Sequence, residues 1–351
     1  MDTSGGTTVH RADSTSAAAP REPKAVTATF GLRLNQERVV LAISAIMFLL
    51  FSFLLGGFLQ VGNLLSLLQN VAVLGILAIG MGIVVIGRGI DLTMVAVMVF
   101  SVAWSFALFS SGMSLWSALL LGCALALSIG VVNGVLIAYV EIPAIFATLA
   151  VATSVTGLGR FALVDRDNVY ISGDIGWLGQ IGAGRILDIP VPVIAFAAFA
   201  CAAYVGLRYT KYGQFVYAMG DNPLAARNTG IAMRPMTVLV YGMSAVIAFA
   251  AGIVMATMVA SVNTRLVGTT MVYDIILVVV IGGIGLSGGK GAVRNVIAGT
   301  VLIGLLLNGL TIMDISYSVQ NIIKSLVLLL AIILDSILNP RDEQTSQQGD
   351  I

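Results

Sequence analysis

The sequence is dominated by long, closely spaced runs of apolar residues that carry almost no charge. Charged residues make up 10% of the chain, whereas about 25% is usual in a soluble globular domain. A soluble protein of this length needs a charged surface, and this chain cannot provide one. Most of its surface must therefore face lipid. Because unpaired backbone groups are costly in lipid, the expected fold is all-α, a polytopic bundle of transmembrane helices.

Ten of the apolar runs reach the roughly 17–25 residues that a helix needs to cross a bilayer. The prediction is weakest in the region 64–110, because the string GRGID at 87–91 interrupts it. The predicted spans lie at about 39–59, 64–86, 90–110, 115–138, 143–163, 190–208, 236–260, 271–287, 293–312 and 317–338.

The two ends of the chain differ in composition from the apolar part. Residues 1–38 are rich in Ser, Thr, Ala and Arg, and they lack an early apolar segment with a small-residue cleavage site. We therefore predict a disordered cytoplasmic tail and not a signal peptide. Residues 39–338 are the predicted transmembrane domain, and 339–351 a second cytoplasmic tail.

The distribution of basic residues predicts the orientation, because cytoplasmic loops carry an excess of Lys and Arg. Ten spans place both termini on one side, and Lys324 is not counted because it falls within the last span. The loop 164–189 is then external and the loop 209–235 cytoplasmic. Four basic residues are external, namely Arg160, Arg166, Arg185 and Arg265, and thirteen are cytoplasmic, namely Arg11, Arg21, Lys24, Arg33, Arg38, Arg88, Arg208, Lys211, Arg227, Arg234, Lys290, Arg294 and Arg341.

The cytoplasmic loop contains the signals of a short helix. Asp221 or Asn222 can cap it, Pro223 suits the first helical position, and Gly230 can end it in a left-handed conformation. Such a helix could dock into a soluble partner or rest on the lipid headgroups as an amphipathic connector. Periodicity alone does not separate these two interpretations.

A Gly-rich string at 279–291 imitates a nucleotide-binding motif. It contains G-x-G-x-x-G at 283–288, but a dinucleotide fingerprint follows a strand, and here a predicted span precedes it. A phosphate loop is also excluded, because Ile284 occupies the position of its first Gly and Lys290 is followed by Gly. The glycines instead indicate a helix that breaks or packs closely on a neighbour. The similar string VVIGRGIDLT at 84–93 indicates either an internal duplication or a chance likeness of apolar segments.

Four polar residues within apolar runs are candidates for a functional role, namely Asp91, Asn133, Asp274 and Asn308. Asp91 and Asp274 are candidates for a transport pathway or a gate, since intramembrane carboxylates usually face a bundle interior. For Asp91 we favour a helix cap or a structural hydrogen bond, and for Asp274 both interpretations stay open. Neither has an evident His, Glu or Arg partner in the membrane, which argues against a proton relay. Asn133 and Asn308 can join helices at small-residue contacts or line a path for an uncharged solute.

Other classes of function find little support in the composition. The single histidine, His10, lies in the polar tail, and Cys123 and Cys201 are isolated within apolar runs. No metal site, cofactor site or nucleophile–base pair is therefore predicted, and the chain is expected not to be an enzyme. The net charge of +1 gives no indication of a nucleic-acid partner.

The chain resembles the ribose-type permeases of bacterial ABC sugar importers from about residue 60 to 338. The resemblance depends on motifs that occur in the family's order: GIDLT at 89–93, NGVLIAY at 133–139, PAIFATL at 143–149, YGQFVYAMGDNPLAARNTGI at 212–231 and DIILVVVIGGIGLSGGKG at 274–291.

The resemblance implies the permease fold and function of that family. The chain would be an inner-membrane subunit that passes a neutral monosaccharide or polyol from a periplasmic binding protein, driven by a separate cytoplasmic ATPase. Such permeases usually work as a pair of chains, so a homodimer is expected. The predicted coupling residues are Gly220, Asp221, Asn222, Pro223, Ala225, Ala226 and Gly230. The predicted pathway or gating residues are Asp91, Thr93, Asn133, Phe146, Thr148, Asp274 and Asn308.

Several positions depart from the family pattern. Arg88 interrupts the usual Gly-Gly-Ile-Asp-Leu-Ser, and Met94 follows where a small residue is usual. Gln214 replaces a usual Arg, Asp221 a usual Gly, and Glu141 stands where a basic residue is common. The competing hypotheses are a stand-alone secondary transporter of a small polar solute, which would need coupling-ion ligands, and a membrane scaffold without transport.

Overall fold

Helices account for most of the chain in the computed structural model, which describes the backbone of residues 36–338 and the side chains of residues 36–333. The first helix begins at Gln36, so residues 36–38 of the predicted N-terminal tail are helical. The rest of that tail and the C-terminal tail lie outside the described residues. The described helices belong to one compact unit.

The α-helices are α1 Gln36–Leu54, α2 Val61–Ile86, α3 Met94–Ser110, α4 Leu115–Ala138, α5 Ala144–Leu158, α6 Trp177–Ala183, α7 Val191–Tyr209, α8 Lys211–Asp221, α9 Pro223–Asn228, α10 Met233–Val259, α11 Met271–Gly282, α12 Val293–Ile312 and α13 Tyr317–Leu338. The strands are β1 Asn168–Tyr170, β2 Arg185–Ile186, β3 Ile189–Pro190 and β4 Ser261–Asn263. A π-helical turn, Gly159–Leu163, follows α5, and a 3-10 turn, Thr264–Gly268, follows β4.

The predicted polytopic helical bundle is confirmed, although the count of ten spans is not established. Within the described residues, 7 helices are long and apolar enough to cross a membrane: α1, α2, α4, α5 with its π turn, α7, α10 and α12. The other three predicted spans correspond to shorter apolar helices, namely α3, α11 and the segment Tyr317–Ile333 of α13. α3 is short because the chain breaks between Gly87 and Thr93, and α11 because it ends at Gly282.

Contacts between helix termini define two ends of the bundle. The helical end contains α8 and α9, and α1 begins there, since the Gln36 amide lies 3.4 Å from the Val280 carbonyl near the end of α11. The sheet end contains β1 and β4. There, the start of α2 meets the end of α12 through reciprocal hydrogen bonds between Asn63 and Asn308. Successive long helices therefore run in opposite directions.

The centre of the bundle is α10, which packs along α4, α2 and α3. Small residues allow the close approach of α4: a side chain at Gly130 would meet the Tyr241 carbonyl, and one at Gly134 would meet the backbone of Val238. Close backbone packing at small residues is a main source of helix association in membranes. This close packing holds the polar side chains of α4 and α10 near one another.

The sheet end is closed by a small clasp. β1 pairs antiparallel with β4. The Asp167 carboxylate lies 2.5 Å from Arg265 and 3.1 Å from Arg160. The hydrogen bonds from Arg265 and then Arg160 hold the pKa of the Asp167 carboxyl below its usual value. The loop 164–189, predicted only as a loop, thus contains β1, α6 and the β2–β3 hairpin.

Candidate functional site

The break between α2 and α3 places a carboxylate inside the bundle. α2 ends because Gly87 and Gly89 flank Arg88, whose backbone has a left-handed φ of 69°. Asp91 follows and is only 1% exposed. It accepts hydrogen bonds from the Thr93 backbone at 3.0 Å and from the Thr93 hydroxyl. The interpretation of Asp91 as a structural hydrogen-bonding group at a helix break fits this geometry.

Two further side chains complete a buried polar network around Asp91. Ser244 of α10 donates to the Asp91 carboxylate at 2.7 Å. Asn133 of α4 donates to the Thr93 hydroxyl at 2.9 Å. The Asn133 carbonyl oxygen is buried and has no hydrogen-bond partner among the described residues. Three of the predicted residues are therefore brought together, and Ser244, which no sequence signal distinguished, joins them.

Residues Phe146 and Thr148 of α5 point in different directions. Thr148 is buried and donates to the Ala144 carbonyl at 2.8 Å and to the Ile90 carbonyl at 3.2 Å, so it adjoins the network. Phe146 lies on the outer face of α5 and is 66% exposed. The predicted pathway set thus does not form a single lining.

Asp274 has a partner that sequence analysis did not assign. Its carboxylate lies 2.9 Å from the Lys324 ammonium, and the two side chains are 14% and 8% exposed. Lys324 also donates to the Thr270 hydroxyl at 3.1 Å. The partner of Asp274 is thus a lysine, and not one of the His, Glu or Arg residues whose absence argued against a proton relay. A lone lysine within an apolar span was the available signal, because such a charge requires a counterion.

A cavity of about 430 Å³, lined by both polar and apolar residues, lies at the sheet end between α2, α10, α11 and α12. Asp274 and Asn308 line it, and Asn308 is held by the reciprocal amide pair with Asn63 at 2.9 and 3.1 Å. Amides and hydroxyls supply the other polar groups of the lining: Asn63, Ser66, Asn70 and Thr311. The Asp91 network does not line this cavity. Apart from Phe146, the predicted pathway residues therefore lie in two separate regions, the Asp91 network and this cavity.

The short helix predicted in the loop 209–235 is present as α9. The Asn222 side chain caps it by accepting from the Ala225 backbone at 3.0 Å, Pro223 occupies its first turn, and Gly230 has a φ of 85° beyond its end. Ala225 is exposed, but Ala226 is only 4% exposed. Ala225 thus lies on the exposed face of α9 and Ala226 packs within the chain, while the coupling role predicted for both stays a prediction.

A longer helix that the sequence did not predict, α8, connects α9 to the membrane part. At its end, Gly220 lies so close to the Ile86 carbonyl and to the backbone of Gly289 that no larger residue fits. The Gly289 backbone donates to the Ile86 carbonyl at 2.8 Å. The end of α8, the end of α2 and the Gly-rich loop thus share one contact, which we call the glycine junction.

The Gly-rich loop behaves as a helix break and not as a nucleotide motif. A helix precedes it, and Gly283, Gly288, Gly289 and Gly291 all have positive φ angles. Gly288 lies against Arg88, so the two similar strings of the sequence contact one another. Tyr217 of α8 donates to a carbonyl of the loop at 2.7 Å. No group of metal ligands occurs within the part of the chain that the structure describes.

Comparison with known proteins identifies the class of the molecule. Residues 63–333 match the family model described as the branched-chain amino acid transport system / permease component. No solved structure matches the chain.

Individual relatives are similar along most of their length. The ribose import permease protein of Bacillus subtilis is 34% identical over 293 residues, which cover 83% of this chain and 89% of the relative. The ribose import permease protein of Escherichia coli K12 is 31% identical over 280 residues, covering 80% and 87%. The galactofuranose transporter permease protein of the same strain is 30% identical over 275 residues, covering 78% and 80%.

Proposed function

This chain belongs to the family of permease components described for branched-chain amino acid transport, and from that premise we propose that it is the membrane subunit of an ATP-driven sugar importer. It is a multi-pass protein of the inner membrane, and its solute is a neutral monosaccharide or polyol. The named solutes of the relatives, ribose and galactofuranose, support this class of solute. So does a cavity lined mainly by amides, hydroxyls and apolar groups, because a neutral sugar gains little from buried charge.

Coupling to a separate ATPase takes place at α9. The observation that carries this proposal is the glycine junction: Gly220 at the end of α8 rests on the Ile86 carbonyl, and the chain continues from Ile86 to Asp91. A displacement of α9 is transmitted through this rigid contact to the break between α2 and α3. A partner can shift the state of the bundle only through a contact that differs between the states.

Solute is delivered by a periplasmic binding protein and enters through the cavity at the sheet end. Asn308 and Asn63 offer amide groups to solute hydroxyls. Asp274 is neutralised by Lys324, so its role is to join α11 to α13 and to gate the cavity. The Asp91 network lies apart from this cavity. It stabilises the break between α2 and α3, which moves when α9 is displaced.

A second copy of the chain packs on the outer face of α5. This face carries Phe146 and, further along the helix, the exposed small or hydroxyl residues Ala150, Thr153, Ser154 and Gly157. Small residues of this kind allow close helix–helix contact in lipid. Phe146 would then line the pathway between two copies.

A stand-alone secondary transporter remains the second candidate, and the Asp274–Lys324 pair is the observation that favours it. Buried ionisable pairs occur in ion-coupled carriers. The two candidates differ in their energy source. Uptake by the proposed importer needs ATP and the binding protein, whereas a secondary carrier works in proteoliposomes with an ion gradient alone and stops when an ionophore is added.

The decisive experiment is reconstitution of the chain with its ATPase and binding protein, followed by uptake of labelled sugars. Ala225→Arg places a bulky cation on the exposed face of α9 and should abolish uptake and the stimulation of ATP hydrolysis by loaded binding protein. Gln214→Arg, on the exposed face of α8, is the matched control, because the family that this chain resembles usually carries Arg at this position. Normal uptake by Ala225→Arg would exclude α9 as the coupling element.

A further inference from the structure

A group of exposed apolar side chains lies around α6 and the β2–β3 hairpin, at the sheet end of the bundle. Trp177 of α6 is 54% exposed, and its ring centre lies 5.4 Å from that of Trp116 at the start of α4. At the tip of the hairpin, Leu187 is 91% exposed. Ile186 and Ile189, which pair across the hairpin, are exposed as well. We call these five side chains the apolar rim.

The segment that carries the apolar rim is fixed to the ends of two spans. Gly182 of α6 lies so close to the backbone of residues 257–258, near the end of α10, that no larger residue fits. At the base of the hairpin, the backbone of Val191, the first residue of α7, donates to the Gly184 carbonyl at 3.0 Å. The position of α6 and of the hairpin relative to the spans is therefore set by the fold.

The beginnings of two spans give the level of the apolar rim in the membrane. Trp116 is the second residue of α4, and the hairpin ends at Pro190, directly before α7 begins at Val191. Both α4 and α7 are long and apolar enough to cross a membrane. The apolar rim therefore lies where the hydrocarbon of the bilayer meets the headgroups, which is the level at which Trp is enriched in membrane proteins.

The helix α6 bridges two spans that lie on the outside of the bundle. It contacts α4 through the two Trp rings and packs on α7 further along. The two spans stand apart, because a cavity of about 510 Å³ separates Leu127 and Val131 of α4 from Phe199 and Ala203 of α7. Most residues of both spans are not buried within the bundle, so these spans face lipid. The exposed side of α6 continues this lipid-facing surface up to the headgroups.

The turn of the hairpin is of a kind that favours small or polar residues, yet its first residue is leucine. Leu187 and Asp188 form a two-residue connection, and both have positive φ angles, 51° and 63°. Such turns strongly favour Asn and Gly, because a bulky side chain is strained at positive φ. The Leu187 side chain is almost fully exposed, so burial within the chain does not offset this strain. The leucine therefore indicates a contact outside the chain.

We propose that α6 and the β2–β3 hairpin form an interfacial anchor, whose apolar rim inserts into the lipid leaflet on the side of the sheet end. Leu187 enters the acyl region beside α7, and Trp116 and Trp177 lie at the headgroup level beside α4. Amphipathic segments bind a bilayer surface in this way, through the apolar area that they bury. Because Gly182 rests on the end of α10, the anchor ties the central helix of the bundle to the level of this leaflet.

Fluorescence quenching in the full-length protein in lipid nanodiscs tests the proposal without any need for transport. Leu187→Cys, in a background with Cys123 and Cys201 replaced by Ala, is labelled with an environment-sensitive fluorophore. Phosphatidylcholine with a nitroxide near the ester end of its acyl chain should quench this label, and aqueous iodide should not. Asp165→Cys is the matched control, because Asp165 is exposed in the same loop beside the charged Asp167. It should show the reverse pattern.

Two results at the labelled positions would overturn the proposal. Absence of nitroxide quenching at position 187 would mean that the tip of the hairpin lies outside the lipid, where a soluble partner could contact it. Equal nitroxide quenching at positions 187 and 165 would mean that the whole loop rests on the membrane and that the apolar rim has no special part in this contact.

The tryptophan of α6 gives a second measurement, which requires no label. The chain contains 3 tryptophans. Trp104→Phe together with Trp116→Phe leaves Trp177 as the single tryptophan and keeps an aromatic ring beside it. Phosphatidylcholine brominated at shallow positions of its acyl chains should quench the Trp177 emission more strongly than lipid brominated near the chain ends. Absence of quenching by either lipid, or stronger quenching by the deep bromines, would contradict a position of α6 at the headgroup level and overturn the proposal.

Discussion

At the scale of single residues, the Asp91 carboxylate accepts hydrogen bonds from two residues that lie far apart in the sequence. Thr93 is local and follows from the chain break, whereas Ser244 lies 153 residues away on α10. A buried carboxylate is expensive unless its lone pairs are satisfied, and removing one donor leaves part of that cost uncompensated. Ser244 thus contributes to stability although it has no evident role in binding.

Ser244→Ala should lower the free energy of unfolding by about 1–2 kcal/mol, because it removes one of three donors to a buried carboxylate. The measurement is the unfolding of the purified protein in detergent, by heat or denaturant. Ser128→Ala is the control, since Ser128 is exposed on α4 and donates only to its own helix. Equal stability of the two variants would show that Ser244 does not stabilise Asp91.

The Asp274–Lys324 pair predicts a marked non-additivity. Lys324→Met or Asp274→Asn alone leaves one buried charge without its counterion and should cost about 3 kcal/mol. The double variant removes both charges and should recover much of that loss. Thermal unfolding of the four proteins gives the coupling energy. Additive losses would mean that the two groups do not interact in the folded protein.

At the scale of elements, the glycine junction brings the backbones of α8, α2 and the Gly-rich loop into direct contact. Gly220→Ala would place a methyl group against the Ile86 carbonyl and the backbone of Gly289, neither of which can move aside as a side chain can. We expect normal insertion but uptake reduced at least about tenfold, since a small displacement of coupled parts has this effect. Gly62→Ala is the control, because nothing lies within 4 Å of its added carbon.

The elements also show how far sequence reasoning reaches. The spans 115–138, 293–312 and 317–338 coincide with α4, α12 and α13, because apolar runs bounded by turn residues leave little choice. α9 was predicted because its cap and stop signals are local. α8 was not, since the stretch from Lys211 to Asp221 contains glycines and few strong helix formers, and tertiary contact at Gly220 stabilises it.

Side-chain partners between helices were the part that sequence could not provide. The network of Asp91 with Ser244 and the pair of Asn308 with Asn63 depend on which helices are neighbours, and one sequence does not determine this. For Lys324 the signal was present, because a charge in an apolar span implies a counterion. Asp274 was an available acid in another apolar run.

At the scale of the whole molecule, the contacts between helix termini show in which direction the first and last described helices run. α1 starts at the helical end, where Glu37 pairs with Arg294 at 2.8 Å. α13 starts at the sheet end, where Thr270 lies 3.0 Å from Asn321, and runs away from it. The first described helix thus starts, and the last described helix ends, towards the helical end of the bundle.

The last prediction is the absolute orientation, which the bundle alone does not determine. The helical end should face the cytoplasm, because the described basic residues of its loops, such as Arg227 and Lys290, outnumber those of the sheet end. Single cysteines at Asn228 in α9 and at Asp174 in the loop 164–189, in a background with Cys123 and Cys201 replaced by Ala, are labelled with an impermeant maleimide. In intact cells the Asp174 position should react and the Asn228 position should not, and permeabilised cells should label both. The reverse pattern would place α9 outside the cell, where no ATPase can reach it, and the importer mechanism would fail together with the topology.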